Sequence, residues 1–189
     1  MAKPISVEKW NNEMVIRMDD GTRFRAIQGT GELWLVGHPV PPPVDPPPPT
    51  GTRFIWPFPL NLVTSEYGQR NGRLHAGIDF GNGAANKRGN PIIASSSGHV
   101  HIANKTNSHG GYGNAVILAH GGGLFTLYGH MDSVAVDVGQ SITQGQRLGG
   151  VGNSGRSQGV HLHFETHEGG YRWDASSRNP RQFFERWNK

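Results

Sequence analysis

The chain has 189 residues, with 28 glycines, 13 prolines and no cysteine, a net charge of +4 at neutral pH and a pI near 9.7. These totals exclude disulfides and thiolate metal sites, so a transition metal would have to be held by His, Asp or Glu. No apolar run approaches the roughly 20 residues of a membrane span, and there is no zinc finger or aromatic RNA-stacking motif, so neither a membrane span nor a nucleic-acid partner is expected.

The charge is uneven. Residues 1–50 carry five Lys/Arg against six Asp/Glu, and residues 51–189 carry thirteen against eight. A basic larger part suits anionic surroundings. "MAKPISVEKW" lacks the apolar stretch of an export signal, so synthesis in the cytoplasm and action outside by another release route are expected.

In chain order, residues 1–37 read as a small β-rich segment. "MVIRMDDGTRFRAIQ" sets two β-prone runs around a DDG turn, and "GELWLVG" adds a further strand. So few residues without disulfide or metal make a poor independent domain. The segment is expected to dock on the main domain or on an assembly. Residues 38–51, "HPVPPPVDPPPPTG", hold eight of the prolines and read as a stiff polyproline linker. Residues 52–189 form the main domain.

Within that domain "PIIASSSGHVHIAN" reads as strand, turn, strand. "NAVILAHGGGLFTLYGHM" is a stronger hairpin, with strands over Ala115–His120 and Leu124–His130. Period two then places Leu124, Thr126, Tyr128 and His130 on one face. "VAVDVGQSITQGQRLGGVG" gives short strands broken by Gly139 and Gly145. In "GVHLHFET" the same alternation puts His161, His163 and Glu165 on one side of a strand and Leu162 and Phe164 on the other. "NPRQFFERW" reads as a helix of two turns, with Asn179 as N-cap and Pro180 at the first helical position. Phe183, Phe184 and Trp187 would dock it on the sheet. Glycine-rich turns and the lack of a long helical pattern make the fold class all-β.

Several groups have chemical potential. "RLHAGIDFG" places His75 and Asp79 four apart, "TLYGHM" ends at His130, and "HLHFE" supplies His161 and His163. A catalytic zinc centre needs three protein ligands and an open position, and two histidines with a carboxylate make such a set. Spacing alone does not choose among them. "GHVHIA" is also H-x-H, and "HAGID" is compatible with a helical turn, although Gly77 weakens that view. His38, His99, His101, His109, His120 and His167 are expected to be structural or solvated. Weaker candidates are Tyr128 as a donor to a developing oxyanion, Arg70 as a partner for substrate carboxylates, and Asn114 at the border of a groove. Core packing, an exposed arginine and a turn asparagine are their plainer readings.

In order, "SEYGQRNGRLHAGIDFG", "ASSSGHV", "GYGNAVILAHGGGLFTLYGHM", "VGQSITQGQRLGGVGNSGRSQGVHLHFE" and "NP" resemble the lysostaphin-type, or LytM-type, zinc endopeptidases. The resemblance runs from Trp56 to Phe184 and rests on H-x-x-x-D, then Y-x-H, then H-x-H. It implies an antiparallel β-sheet core of barrel-sandwich type, a groove walled by loops, and one Zn2+ per chain. By motif, His75, Asp79 and His163 match the metal ligands, and His130 and His161 match the two catalytic histidines that are not ligands. The implied substrate is the peptide part of peptidoglycan, a glycine bridge or a stem-peptide cross-link, with the latter preferred. Together with the absent export signal, the resemblance suggests a bacteriophage lysin released at lysis or carried on a virion. The alternatives are a non-catalytic wall-binding or activator module and a structural virion protein with an incidental peptidase domain.

Overall fold

The computed structural model describes residues 4–10, 13–18, 23–28, 33–39, 54–58, 62–70, 72–81, 87–172 and 175–185. Most of the expected proline linker, and Trp187, lie outside these residues. The chain divides into two units, Met1–Val44 and Asp45–Lys189. The first is a four-stranded antiparallel meander of β1 (Pro4–Trp10), β2 (Glu13–Met18), β3 (Arg23–Gln28) and β4 (Leu33–Pro39), in that spatial order. The expected hairpin forms as the β2–β3 pair, the further strand is β4, which pairs with β3, and β1 is a strand that the sequence reading did not anticipate.

The second unit is built on a ten-stranded antiparallel sheet. Its strands are β5 (Val63–Ser65), β8 (Ile78–Phe80), β9 (Pro91–Ile93), β10 (Gly98–Asn104), β11 (Asn114–Ala119), β12 (Phe125–Val134), β13 (Ser141–Ile142), β14 (Arg147–Val151), β15 (Leu162–His167) and β16 (Ser177–Arg178). The main path runs β13-β10-β11-β12-β15-β8-β5. A separate hairpin pairs β6 (Gly68–Arg70) with β7 (Arg73–His75). The all-β expectation therefore holds, and helix is almost absent among the described residues.

The one α-helix among the described residues, α1 (Arg181–Glu185), lies within the stretch where a helix of two turns is expected. Asn179 caps it, its side-chain oxygen accepting the Arg181 N–H at 3.0 Å. Phe183 and Phe184 bury its inner face, and Phe184 stacks on Trp56 with ring centroids 4.0 Å apart. Arg181 closes the outer side through Glu66, at 2.6 Å.

Two strands at the middle of the sheet set up everything that follows. β15 is buried on both faces, yet its residue types alternate. Leu162 and Phe164 enter the apolar core with Ile78, Phe80 and Tyr128, while His163 and Glu165 point to the other side. β12 carries a bulge: between the pairs Val116–Tyr128 and Asn114–Met131, one residue of β11 faces Gly129 and His130 together. His130 has φ 59°, a left-handed backbone.

Candidate functional site

β8 and β15 are neighbours in the sheet, and His163 lies directly opposite Asp79. Opposed residues on paired strands share a face, so the imidazole and the carboxylate meet. His163 Nδ1 is 2.8 Å from Asp79 Oδ1. His75, at the end of β7, arrives from the adjacent hairpin with Nε2 3.1 Å from Asp79 Oδ1 and 3.2 Å from His163 Nδ1. The short link between His75 and Asp79 crosses β15 so closely that a Cβ on Gly77 would stand 2.3 Å from the Phe164 carbonyl oxygen. Glycine there is a steric requirement, and it explains the H-A-G-I-D spacing without a helical turn.

Both imidazoles are oriented from behind. His75 Nδ1–H donates to the Glu66 carbonyl at 2.7 Å, which aims Nε2 at Asp79. His163 Nε2–H donates to Glu165 Oε1 at 2.8 Å, which leaves Nδ1 toward the same point. Glu165 is fully buried and accepts two further hydrogen bonds, from the Tyr112 hydroxyl at 2.7 Å and from His167 Nε2 at 2.7 Å. His167 is held in turn by Ser176 at 2.9 Å.

The electrostatics favour positive charge at this centre. Burial raises the Asp79 carboxyl, but hydrogen bonds from His163 and His75 outweigh it and hold the group well below the usual carboxylate range. Burial likewise raises Glu165, and its bonds from His163 and His167 bring it down to about 2. Both acids are therefore ionised. Burial lowers the His163 imidazole, yet its two carboxylate neighbours push it up to about 9.

His75, Asp79 and His163 can together hold a metal ion, each offering one ligand atom. The residues fit zinc in kind. The set is two imidazole nitrogens and one carboxylate oxygen, each imidazole donates its other N–H to a carbonyl or carboxylate, and the donors open onto a cleft.

That cleft has a volume of about 670 Å³. His130 and His161 line it beside the three donors, with their ring centroids 4.7 Å apart. His130 Nδ1–H is held by the Ser154 carbonyl at 2.8 Å and His161 Nδ1–H by the Gly159 carbonyl at 2.8 Å, so each presents Nε2. His161 Nε2 lies 3.6 Å from Asp79 Oδ1. Burial, with further contributions from the charges of His163 and His161, lowers His130 to about 4, so it is neutral at pH 7.

The weaker candidates separate. Arg70 lines the cleft, its Nη1 donating to Ser65 Oγ at 2.8 Å and lying 3.7 Å from Asp79 Oδ2. Tyr128 does not line it. The left-handed turn at His130 breaks the period-two alternation, so His130 leaves the core face while Tyr128 stays buried there, accepting the Ser95 N–H at 2.9 Å. Asn114 lies outside the cleft lining. It braces loops, bonding Asn107 N–H at 2.7 Å, the Met131 carbonyl at 3.2 Å and Ser154 Oγ at 3.0 Å. Tyr112, Ser154 and the roles of Glu165 and His167 were missed. Period two had already placed Glu165 beside His163, but nothing in the sequence pairs it with Tyr112, 53 residues away.

Comparison with known proteins points to one peptidase family. The profile of peptidase family M23 matches residues 73–175. The DD-carboxypeptidase/endopeptidase Mpg of Neisseria meningitidis is 37% identical over 117 residues, which cover 59% of this chain and 25% of Mpg. The chain thus spans about a quarter of that relative's length. Among solved structures, the catalytic domain of lysostaphin from Staphylococcus simulans aligns with a TM-score of 0.55 and 29% identity over 66% of this chain and 90% of that one. The catalytic domain of the prophage-encoded M23 protein EnpA from Enterococcus faecalis, crystallised as a variant, aligns with a TM-score of 0.57 and 31% identity over 70% of this chain and 96% of that one.

Proposed function

The chain belongs to peptidase family M23, and from that membership we propose that it is a zinc-dependent endopeptidase that hydrolyses peptide cross-links of bacterial peptidoglycan. The observation that carries this reading is the convergence of His75, Asp79 and His163, with donor atoms 2.8–3.2 Å apart, under a cleft that His130 and His161 also line. A non-catalytic wall-binding module would not need a complete donor set with every imidazole oriented from behind.

His75, Asp79 and His163 would hold the zinc. When bound, the metal supplies Lewis acidity toward the scissile carbonyl and the attacking water. His130, neutral and fixed through Ser154, offers Nε2 as the acceptor for the water's proton. His161, fixed through Gly159, offers its Nε2 to the oxygen that gains charge as the carbonyl is attacked. Both are held by backbone carbonyls, which fixes their ring orientation.

Origin from a phage is supported by the likeness to the catalytic domain of prophage-encoded EnpA, of which domain the chain covers 96%. We read the protein as a wall-lytic enzyme of that kind. No helix among the described residues is long and apolar enough to cross a membrane.

The test is digestion of purified cell walls by the zinc-loaded full chain. New amino termini should appear at cross-links, vanish with chelator, return with added Zn2+, and fail to appear with His163→Ala. Walls left intact while zinc is stoichiometrically bound would refute the reading.

A further inference from the structure

We propose that the cleft selects peptides bearing a carboxylate beside the scissile bond, with Arg70 and Arg156 as the recognition pair; this rests on the wall-peptidase reading above and narrows its substrate class. Both arginines line the same cleft as the metal-site residues, and they come from separate segments, β6 and the loop between β14 and β15. Arg156 is exposed, and among the described residues its guanidinium has no hydrogen bond or ion pair. Its backbone is nevertheless fixed, since its N–H donates to the Gly111 carbonyl at 2.8 Å. The charge projects from a pinned loop into the cleft.

The two acids of the cleft are engaged chiefly by the imidazoles. Glu165 is buried and occupied by His163, His167 and Tyr112. Asp79 directs Oδ1 to the imidazoles and lies 3.7 Å from Arg70 only through Oδ2, a long contact on a side chain of Arg70 that is 57% exposed. A divalent cation at the centre would add further positive charge. The acids face the imidazoles while the arginines stand at the cleft's outer lining, so the complement of that outer part is an anionic ligand. Guanidinium forks match carboxylates in two-pronged geometry, which a point charge does not require. A glycine bridge offers no side-chain charge to either arginine, whereas a stem-peptide cross-link carries free carboxylates close to the bond that joins its strands.

The experiment compares three substrates for the zinc-loaded full chain: a cross-linked stem-peptide dimer with free carboxylates, the same dimer with those groups converted to carboxamides, and a glycine-bridged peptide. The free acid should exceed the carboxamide in kcat/KM by at least about tenfold, the scale of a hydrogen bond to a charged group. Arg70→Gln and Arg156→Gln should each collapse that ratio toward one, mainly through KM. Arg156→Lys should restore part of it. Equal handling of acid and amide, or preference for the glycine bridge, would overturn the inference. Calorimetric binding of the acid and amide dimers separates the two readings. Preferential binding of the acid without cleavage would sink the peptidase reading alone, and equal binding would sink the charge selection whether or not the bond is cut.

Discussion

His163 and Glu165 stand two residues apart on β15, and the Nε2–H of the first donates to Oε1 of the second at 2.8 Å. That bond turns Nδ1 of His163 toward His75 and Asp79. It also places a buried negative charge behind the centre that the donors surround. Glu165→Gln keeps the shape but replaces one of the two acceptor oxygens with an N–H₂, so either Tyr112 and His163 or His167 loses its acceptor, and the buried negative charge is gone. Metal affinity should fall about 10- to 100-fold, the usual cost of losing such an outer partner. Competition with a chelator of known zinc affinity measures it. Unchanged affinity would remove Glu165 from the site.

A second prediction concerns a histidine remote from the cleft. His120 is buried between the Ser97 carbonyl, at 2.7 Å from Nδ1, and Thr126 Oγ1, at 2.8 Å from Nε2. Burial lowers its imidazole to about 4 against an ordinary value of 6.5. Between those two values the unfolded chain binds the extra proton and the folded chain does not. Stability therefore drops as pH falls through this window, by at most about 1.4 kcal/mol per pH unit from this group. Urea unfolding across pH 4–7 checks it. His120→Gln, which cannot titrate, should flatten that part of the profile.

These two sites show what the sequence could and could not convey. Alternation along "HLHFE" was legible because β15 is regular, so ligand and core faces followed from period two. The Asn179 cap and the hairpin around "HGGG" were legible for the same local reasons. Alternation failed at Tyr128 and His130, because a bulge and one left-handed residue change face without leaving any signal in residue type. The contacts of Glu165 with Tyr112 and of His75 with the Glu66 carbonyl join separate strands and turns. No local pattern encodes such contacts, and only the folded sheet reveals them.

A third prediction follows from the closeness of two loops. Gly155 has φ 71°, and a Cβ there would lie 2.5 Å from both the Gly111 oxygen and the Gly113 nitrogen. The loop carrying Ser154 and Arg156 therefore rests on the turn Gly110–Tyr112 with no room for a side chain. Gly155→Ala should destabilise the fold by about 1–3 kcal/mol through overpacking and backbone strain. It should also displace the Ser154 carbonyl that holds His130. Thermal unfolding reads the first effect, and a fall in kcat larger than any change in zinc affinity reads the second.

The last prediction separates holding the metal from doing the chemistry. His163→Ala removes a donor atom from the set with Asp79 and His75, so zinc affinity and wall digestion should be lost together. His130 shares the cleft but is absent from that donor set. Its replacement should leave zinc bound while hydrolysis falls by about 10²- to 10⁴-fold, the range for loss of a general base. Alanine is a poor probe there, because φ 59° strains it. Asparagine tolerates the left-handed backbone and is the better substitution. His130→Asn should thus bind zinc stoichiometrically, unfold at nearly the wild-type temperature and fail to cut cross-links. Cleavage at the wild-type rate by that variant would show that the proton is taken elsewhere, with His161 as the remaining imidazole of the cleft to examine.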